Sequence, residues 1–339
     1  MAVALPGDTI YVRPGIYVDS NLILSNGVNW YFEEGAIVQE VSTIFLDTLG
    51  TITTAISGWG TFKSQSSILS IANGSTISFN AKLIELLGTD AAILITSTDL
   101  SKLNINVNEI HASNSYAIKI NGNSNINWTS NKITGLSTLI GIDTYANGYG
   151  NFDVQHIENT LNTSTNPIIY NDSLAFKFNL RNNTFISDVA THAIRIQPPS
   201  AITEHITNIN IDLMRVTGAI LHAIGSPTSN LLTEAPKIDI QIKTLANIMP
   251  SGSILEPIHL EYVIINFKAS LIIHLGNPSI AFFNSPNFVQ LDFNVDESAS
   301  ITSDWFNFTN SNSNGSNIIA SGHSIFLLNG AFLYRSSWR

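Results

Sequence analysis

The residues of this chain that could do chemistry are few and scattered. Asp143, Tyr145, His192 and Arg195 are the catalytic candidates, with Lys119, His156 and Asp188 at neighbouring places in the same pattern. A Tyr or His beside an Arg can abstract the proton α to a carboxylate while the guanidinium neutralises that carboxylate. Glycoside hydrolysis instead needs two carboxyl groups about 5 to 10 Å apart, and no two Asp are adjacent anywhere in the chain. The eight His show no H-x-x-x-H or H-E-x-x-H spacing, and Cys is absent, so neither a zinc site nor thiolate chemistry is expected. No Gly-rich phosphate loop occurs, and the expectation is no metal and no cofactor. Outward positions on a half-buried strand must be polar in any case, so solvation alone accounts for scattered Asp, Lys and Arg.

The composition narrows the setting. Of 339 residues only 12% are charged while 44% are hydrophobic, and 38 are Asn. A charged fraction near 25% is usual, so amides stand here where charge normally would. High hydrophobicity with low charge excludes intrinsic disorder. No stretch approaches the ~20 apolar residues that span a bilayer as a helix, and membrane insertion is not expected. The net charge of −10 argues against binding to nucleic acid through its phosphates. The opening residues MAVALPGDTIYV have no basic or apolar leader, so this form carries no secretory signal.

The elements that must position any site are short alternating runs. They start at Ile77, Ile105, Ile126, Phe152, Phe176, Ile209, Ile238, Ile265 and Leu291, and successive starts differ by 21 to 33 residues. Each has period two, the mark of a strand with one buried face. A second alternating run follows in most units, as in Ala117-Ile118-Lys119-Ile120 and Ala193-Ile194-Arg195-Ile196. Repeats of this size cannot bury an apolar face alone, and stacking them gives a parallel β-helix. An antiparallel sandwich is the rival, and an Asn ladder decides against it. Asn108, Asn131, Asn159 and Asn183 each precede a small turn at an equivalent place, where Asn tolerates the left-handed backbone and stacked amides can bond along the pile.

Two segments near the start resemble the pectate-lyase-like superfamily of right-handed parallel β-helices. Gly7-Asp8-Thr9-Ile10-Tyr11-Val12-Arg13-Pro14-Gly15-Ile16-Tyr17 is similar to its GDTI-x-V-x-x-G-x-Y opening, and Ile56-Ser57-Gly58-Trp59-Gly60-Thr61-Phe62 to its I-x-G-x-G rung. The resemblance implies the architecture and little about activity, since lyases, hydrolases, tailspikes and adhesins share it. The polygalacturonase set of N-T-D, D-D, G-H-G and R-x-K does not assemble in this chain.

The sequence therefore predicts an all-β, single-stranded, right-handed parallel β-helix of about 10–13 rungs, one domain over residues 1–339. Residues 1–65 form N-terminal rungs, 66–310 regular rungs, and 311–339 C-terminal strands or a cap, with Phe326, Leu328, Phe332, Leu333 and Trp338 packing on the last rung or on a partner. Asn106, Asn127, Asp153, Lys177, Asn210 and Asp239, continued by Asn266 and Asp292, should form one outward stripe that serves solvation first, then contact with a neighbouring subunit, and last the binding of sugar hydroxyls. The expected function is a non-enzymatic structural or recognition protein, an oligomeric virion or phage appendage, extracellular or on a particle, with a surface glycan as ligand. The alternative is a polysaccharide lyase or glycoside hydrolase with a divergent site around Asp143 and Arg195.

Overall fold

A computed structural model describes residues 4–18, 21–47, 50–159, 166–188, 191–200, 205–227, 234–250, 253, 255–275, 282–284, 289–299, 306–307, 317–322 and 328–329. The architecture is all-β: a parallel β-solenoid in which strands from successive turns of the chain pair side by side. The chain parts into two compact units, Met1–Ile157 and Glu158–Arg339.

In the first unit one sheet runs in the order Thr9–Val12, Asn29–Phe32, Thr53–Gly58, Thr76–Leu86, Ser101–Ala112, Asn123–Gly135 and Asn147–Asn159. A second sheet of short strands runs Leu22–Ile23, Phe45–Leu46, Leu69–Ile71, Ala91–Ile95, Tyr116–Ile120 and Ile140–Ile142. From Thr76 onward one long and one short strand make a rung. Before that the long side is split in two, and its second halves Gly15–Tyr17, Ala36–Glu40 and Thr61–Ser64 pair in a row of their own that joins Thr76–Leu86. Inward side chains of both sheets meet in a core that is apolar because each strand alternates. Phe32, Phe45, Phe62 and Phe79 lie fully buried there, with ring centroids 5.0 Å apart for Phe32 and Phe62 and 5.6 Å for Phe62 and Phe79. Each such side chain contributes roughly 1.5–3 kcal/mol by leaving water.

The second unit repeats the plan. Its long strands are Ala175–Ser187, Ile206–Thr217, Lys237–Ile248, Val263–Leu275, Val289–Ala299 and Asn317–Gly322. Its short strands are Ile169–Asn171, His192–Ile196, Ala219–Ile224, Ile258–Glu261, Phe283–Asn284, Phe306–Asn307 and Leu328–Asn329. Of the expected C-terminal cap, Phe326, Phe332, Leu333 and Trp338 lie outside the described residues, as does the polar run from Asn310 to Gly315.

A long strand is one ribbon bent in the middle. In Ser101–Ala112 the inward residues are Leu103, Ile105 and Val107 before the bend and Ile110 and Ala112 after it, so the alternation changes phase at Asn108. The pairing skips that residue: Val107 faces Ser130 and Glu109 faces Lys132, leaving Asn108 beside Asn131 at the two bends. The same skip falls at Lys82 on the preceding rung. In the second unit it falls at Asn183, Asp212, Lys243 and Ser270. Asn108, Asn131 and Asn183, which read as turn formers between strands, are thus bend residues inside one continuous strand.

Candidate functional site

On the outer face of a long strand, side chains of successive rungs form columns spaced by about 4.8 Å. The register groups the outward residues differently from the single stripe read in the sequence. Asn106 stands beside Asn80 and Thr129, whereas Asn127 stands beside Asn104 one column over. In the second unit Lys177 shares a column with Ile206 and Lys237, Asn210 with Arg181 and Gln241, and Asp239 with Asn208 and Asn266. Asp153, in the middle of Asn147–Asn159, is half-buried on its strand, where its carboxylate accepts a hydrogen bond from the Gln155 amide at 3.2 Å.

One column in each unit carries the amide ladder. Asn127 Nδ2 donates to Asn104 Oδ1 at 3.2 Å, and Asn151 Nδ2 donates to Asn127 Oδ1 at 3.1 Å. In the second unit Asn208 Nδ2 donates to Asn179 Oδ1 at 2.7 Å and Asn266 Nδ2 to Asp239 Oδ2 at 3.0 Å. At the bends, Asn131 Nδ2 donates to Asn108 Oδ1 at 2.6 Å. Asn183 occupies a bend as well, but Asn159 does not. It is the last residue of Asn147–Asn159, fully buried, and its carbonyl accepts the Asp188 N–H at 2.9 Å. That places it at the inward end of the strand, four residues past a bend position of the Asn183 kind.

Of the four catalytic candidates, Asp143 and Arg195 are each held in an ion pair. Asp143 and Tyr145 fall in the first unit, His192 and Arg195 in the second. The Asp143 carboxylate lies 3.3 Å from Lys119 Nζ, and that ammonium sits over the Tyr116 ring. Tyr145 is 78% exposed. Arg195 reaches Asp172 at 2.5 Å and lies over the Tyr170 ring. His192 heads a row of imidazoles, its ring 4.8 Å from that of His222, which in turn lies 5.2 Å from His259. Burial first, then the neighbouring His222 and His259, push the His192 pKa down to about 3. Its Nε2 is buried without a hydrogen-bond partner. A base held that low is a weak proton acceptor at neutral pH. Among the described residues no group of three or more His, Asp or Glu is arranged to hold a metal ion.

A concave site does lie on the outer face of the first unit. It is a groove of about 360 Å³ that runs across the rungs from Tyr31 through Gly58, Trp59, Asn80 and Asn106 to Asn108, Thr129 and Asn131. Trp59 is 56% exposed and Tyr31 39%. The Gly58-Trp59-Gly60 corner explains how an indole comes to face water. Residues 57–60 lie where the next rung has only 80–82, since Ile56 faces Phe79 and Thr61 faces Leu83, so the corner carries one extra residue. Gly58 adopts a φ of 98°, and a Cβ there would stand 2.0 Å from the Phe32 carbonyl oxygen. No other residue fits. The Trp59 N–H donates to that same carbonyl at 2.9 Å, which fixes the corner and turns the side chain outward.

The groove is lined by no charged side chain. Lys82, at the bend before Asn108, is drawn aside to Glu34 at 2.7 Å. The concavities of the second unit differ: one is lined by Lys237, Asp239 and Asp292, another by Lys243 and Lys268. Asn106, Asn108 and Asn131 of the groove were singled out from the sequence, whereas Trp59 and Tyr31 were missed as site residues. The signal for Trp59 was an aromatic flanked by two Gly at a corner, where the outward side has no core to fill. Comparison with protein-family models, curated proteins and solved structures returns no match.

Proposed function

We propose that this protein is a non-enzymatic β-solenoid with a structural or recognition role on the exterior of a particle, of the virion or phage appendage type, working as an oligomer and touching glycan. The observation that carries the reading is a contrast between charged and uncharged surface. Asp143 and Arg195 are each held in an ion pair within their own unit, while the open groove of the first unit offers only amides, hydroxyls and two aromatic rings. Lysis of a polysaccharide needs a free base and a charge to receive the developing anion. Binding needs neither.

Exposed apolar side chains support the oligomeric part. Leu5, Tyr11, Ile16, Val18 and Ile23 are all exposed, and among the described residues Thr9–Val12 pairs on one edge only. The likeness to pectate-lyase-like proteins belongs to this proposal and rests on the two motifs quoted above.

Incubation with pectate, alginate and neutral polysaccharides should give no unsaturated products and no new reducing ends. Light scattering after gel filtration should give a mass above that of one chain. Cleavage that disappears in Asp143→Ala or Arg195→Ala would overturn the reading in favour of an enzyme.

A further inference from the structure

We infer that the groove of the first unit is a binding site for a neutral saccharide, with one sugar ring stacked on Trp59 and its hydroxyls bonded to the amides of Asn80, Asn106, Asn108 and Asn131. The inference rests on the recognition reading above and specifies its ligand and its residues.

Stacking comes first. An indole or phenol ring offers a flat apolar face together with a polar edge, and sugar rings present apolar C–H faces ringed by hydroxyls. Trp59 is held in place by backbone alone, through the left-handed Gly58 and the hydrogen bond to Phe32. The indole therefore stands on the outer side of the corner, 56% exposed, before any ligand arrives. Tyr31 extends the platform, with the Tyr11 ring 5.6 Å behind it.

The polar partners are the second argument. Asn106 and Asn80 make no side-chain hydrogen bond within the protein among the described residues, so both amides have donor and acceptor to offer. Asn131 spends one N–H on Asn108 and keeps its carbonyl oxygen, and that bond orients both side chains. An amide can meet a hydroxyl as donor and as acceptor at once, the dual match a sugar requires.

The third argument is what the groove lacks. An acidic saccharide would call for Lys or Arg at its carboxylates or sulfates, and no charged side chain lines this surface. An apolar peptide would leave the amides dehydrated and unpaired, at a cost per group that opposes binding. The 360 Å³ volume falls within the usual span of small-ligand sites, large enough for a short oligosaccharide.

The test uses the full chain and affinity electrophoresis through gels containing dextran, mannan, galactan, xylan, pectate or alginate. At least one of the four largely uncharged polymers should retard the protein, and high salt should leave that retardation in place. Trp59→Ala and, separately, Asn106→Ala should each weaken it, the first by about tenfold or more. Both side chains are exposed, so circular dichroism and the melting temperature should stay as in the parent. Trp59→Phe, which keeps a stacking face, should restore part of the binding. Retardation by no neutral polymer, retardation by pectate or alginate alone, or binding indifferent to both substitutions would overturn this site. None of these outcomes touches the non-enzymatic reading, which fails only if a polymer is cut.

Discussion

In the first unit the core positions hold Phe32, Phe45, Phe62 and Phe79, and the one buried carboxylate among the described residues is Asp47. The second unit builds the same kind of coil but buries His205, Asn171, Asn247 and His274 among its aliphatic residues. The contrast is clearest at the inward end of the long strands. That place is Ser64, Leu86, Ala112 and Gly135 in the first unit, and Asn159, Ser187, Val216, Asn247 and His274 in the second, where amides and an imidazole take it up. The coil geometry sets where a side chain points, and within that limit apolar contact and polar network are interchangeable fillings. They differ in what breaks them.

Two of the second unit's polar fillings are hydrogen-bonded networks, whereas the buried Ser187 hydroxyl has no partner among the described residues. His205 Nδ1 donates to the Ser173 carbonyl at 2.9 Å, and its Nε2 accepts from the Thr207 hydroxyl at 3.1 Å. The Thr207 oxygen in turn accepts from Asn171 Nδ2 at 3.2 Å. These roles require a neutral imidazole protonated on Nδ1. Asn247 donates to the Gly218 carbonyl at 2.7 Å and its Oδ1 lies 2.7 Å from His274 Nδ1. Asp47 is closed in the same way by the N–H groups of Ala72 and Asn73 and by the Ser75 hydroxyl, though burial still raises its pKa.

The largest expected effect probes the aromatic filling. Phe62→Ala removes the ring that Phe32, Phe45 and Phe79 all touch, and should cost about 3–5 kcal/mol. In native-state hydrogen exchange the amides of Ala36–Glu40, Thr61–Ser64 and Thr76–Leu86 should lose protection first. Uniform loss over all strands would erase the distinction drawn between the units.

Acid probes the polar filling. Burial pushes His205, His222 and His274 down to about 4 and His192 to about 3, from an ordinary value near 6.5. An unfolded chain therefore takes up protons below pH 6.5 that the folded second unit refuses until about pH 4 or 3. Stability is full above pH 6.5 and falls as the pH drops through that window, by about 3 kcal/mol for His205 alone. Melting curves between pH 7 and 4 should show this slope, and His205→Gln should flatten it while lowering stability at pH 7. A slope unchanged in that variant would mean that His205 is not the group responsible.

The smallest effect concerns the outer ladder. Asn127→Ala breaks two exposed amide bonds, to Asn104 and Asn151, and should cost less than about 1 kcal/mol. A larger loss in urea titration would show that the ladder helps hold the first unit together, as its rings do.

The period-two runs made the rungs legible in the sequence, because burial on one face leaves no other pattern for a half-covered strand. Register was harder. A shift of two residues keeps every side chain on its face, so Ile105-Asn106-Val107 and Ile126-Asn127-Trp128 align by eye although Ile105 actually faces Trp128. Only the bend, where the inward phase changes, breaks that degeneracy, and Asn159 was placed by its neighbours' letters without it. Among the site residues, Asn106, Asn108 and Asn131 could be read as outward amides. Trp59 could not be read by alternation, since the corner that exposes it lies between strands.

The bend also separates two kinds of change that a sequence can undergo. Rung length varies between bends, from 23 residues for Asn108 to Asn131 to 31 for Asp212 to Lys243, yet the paired strands on either side keep their alignment. Insertions are absorbed in the connections, and each outward column keeps its address on the surface. A lineage could therefore rewrite one rung's outward letters, exchanging an amide for a charge or a ring, while the letters above and below continue to be displayed in the same place. Such a surface can follow a changing target by single substitutions, without refolding the coil that displays it.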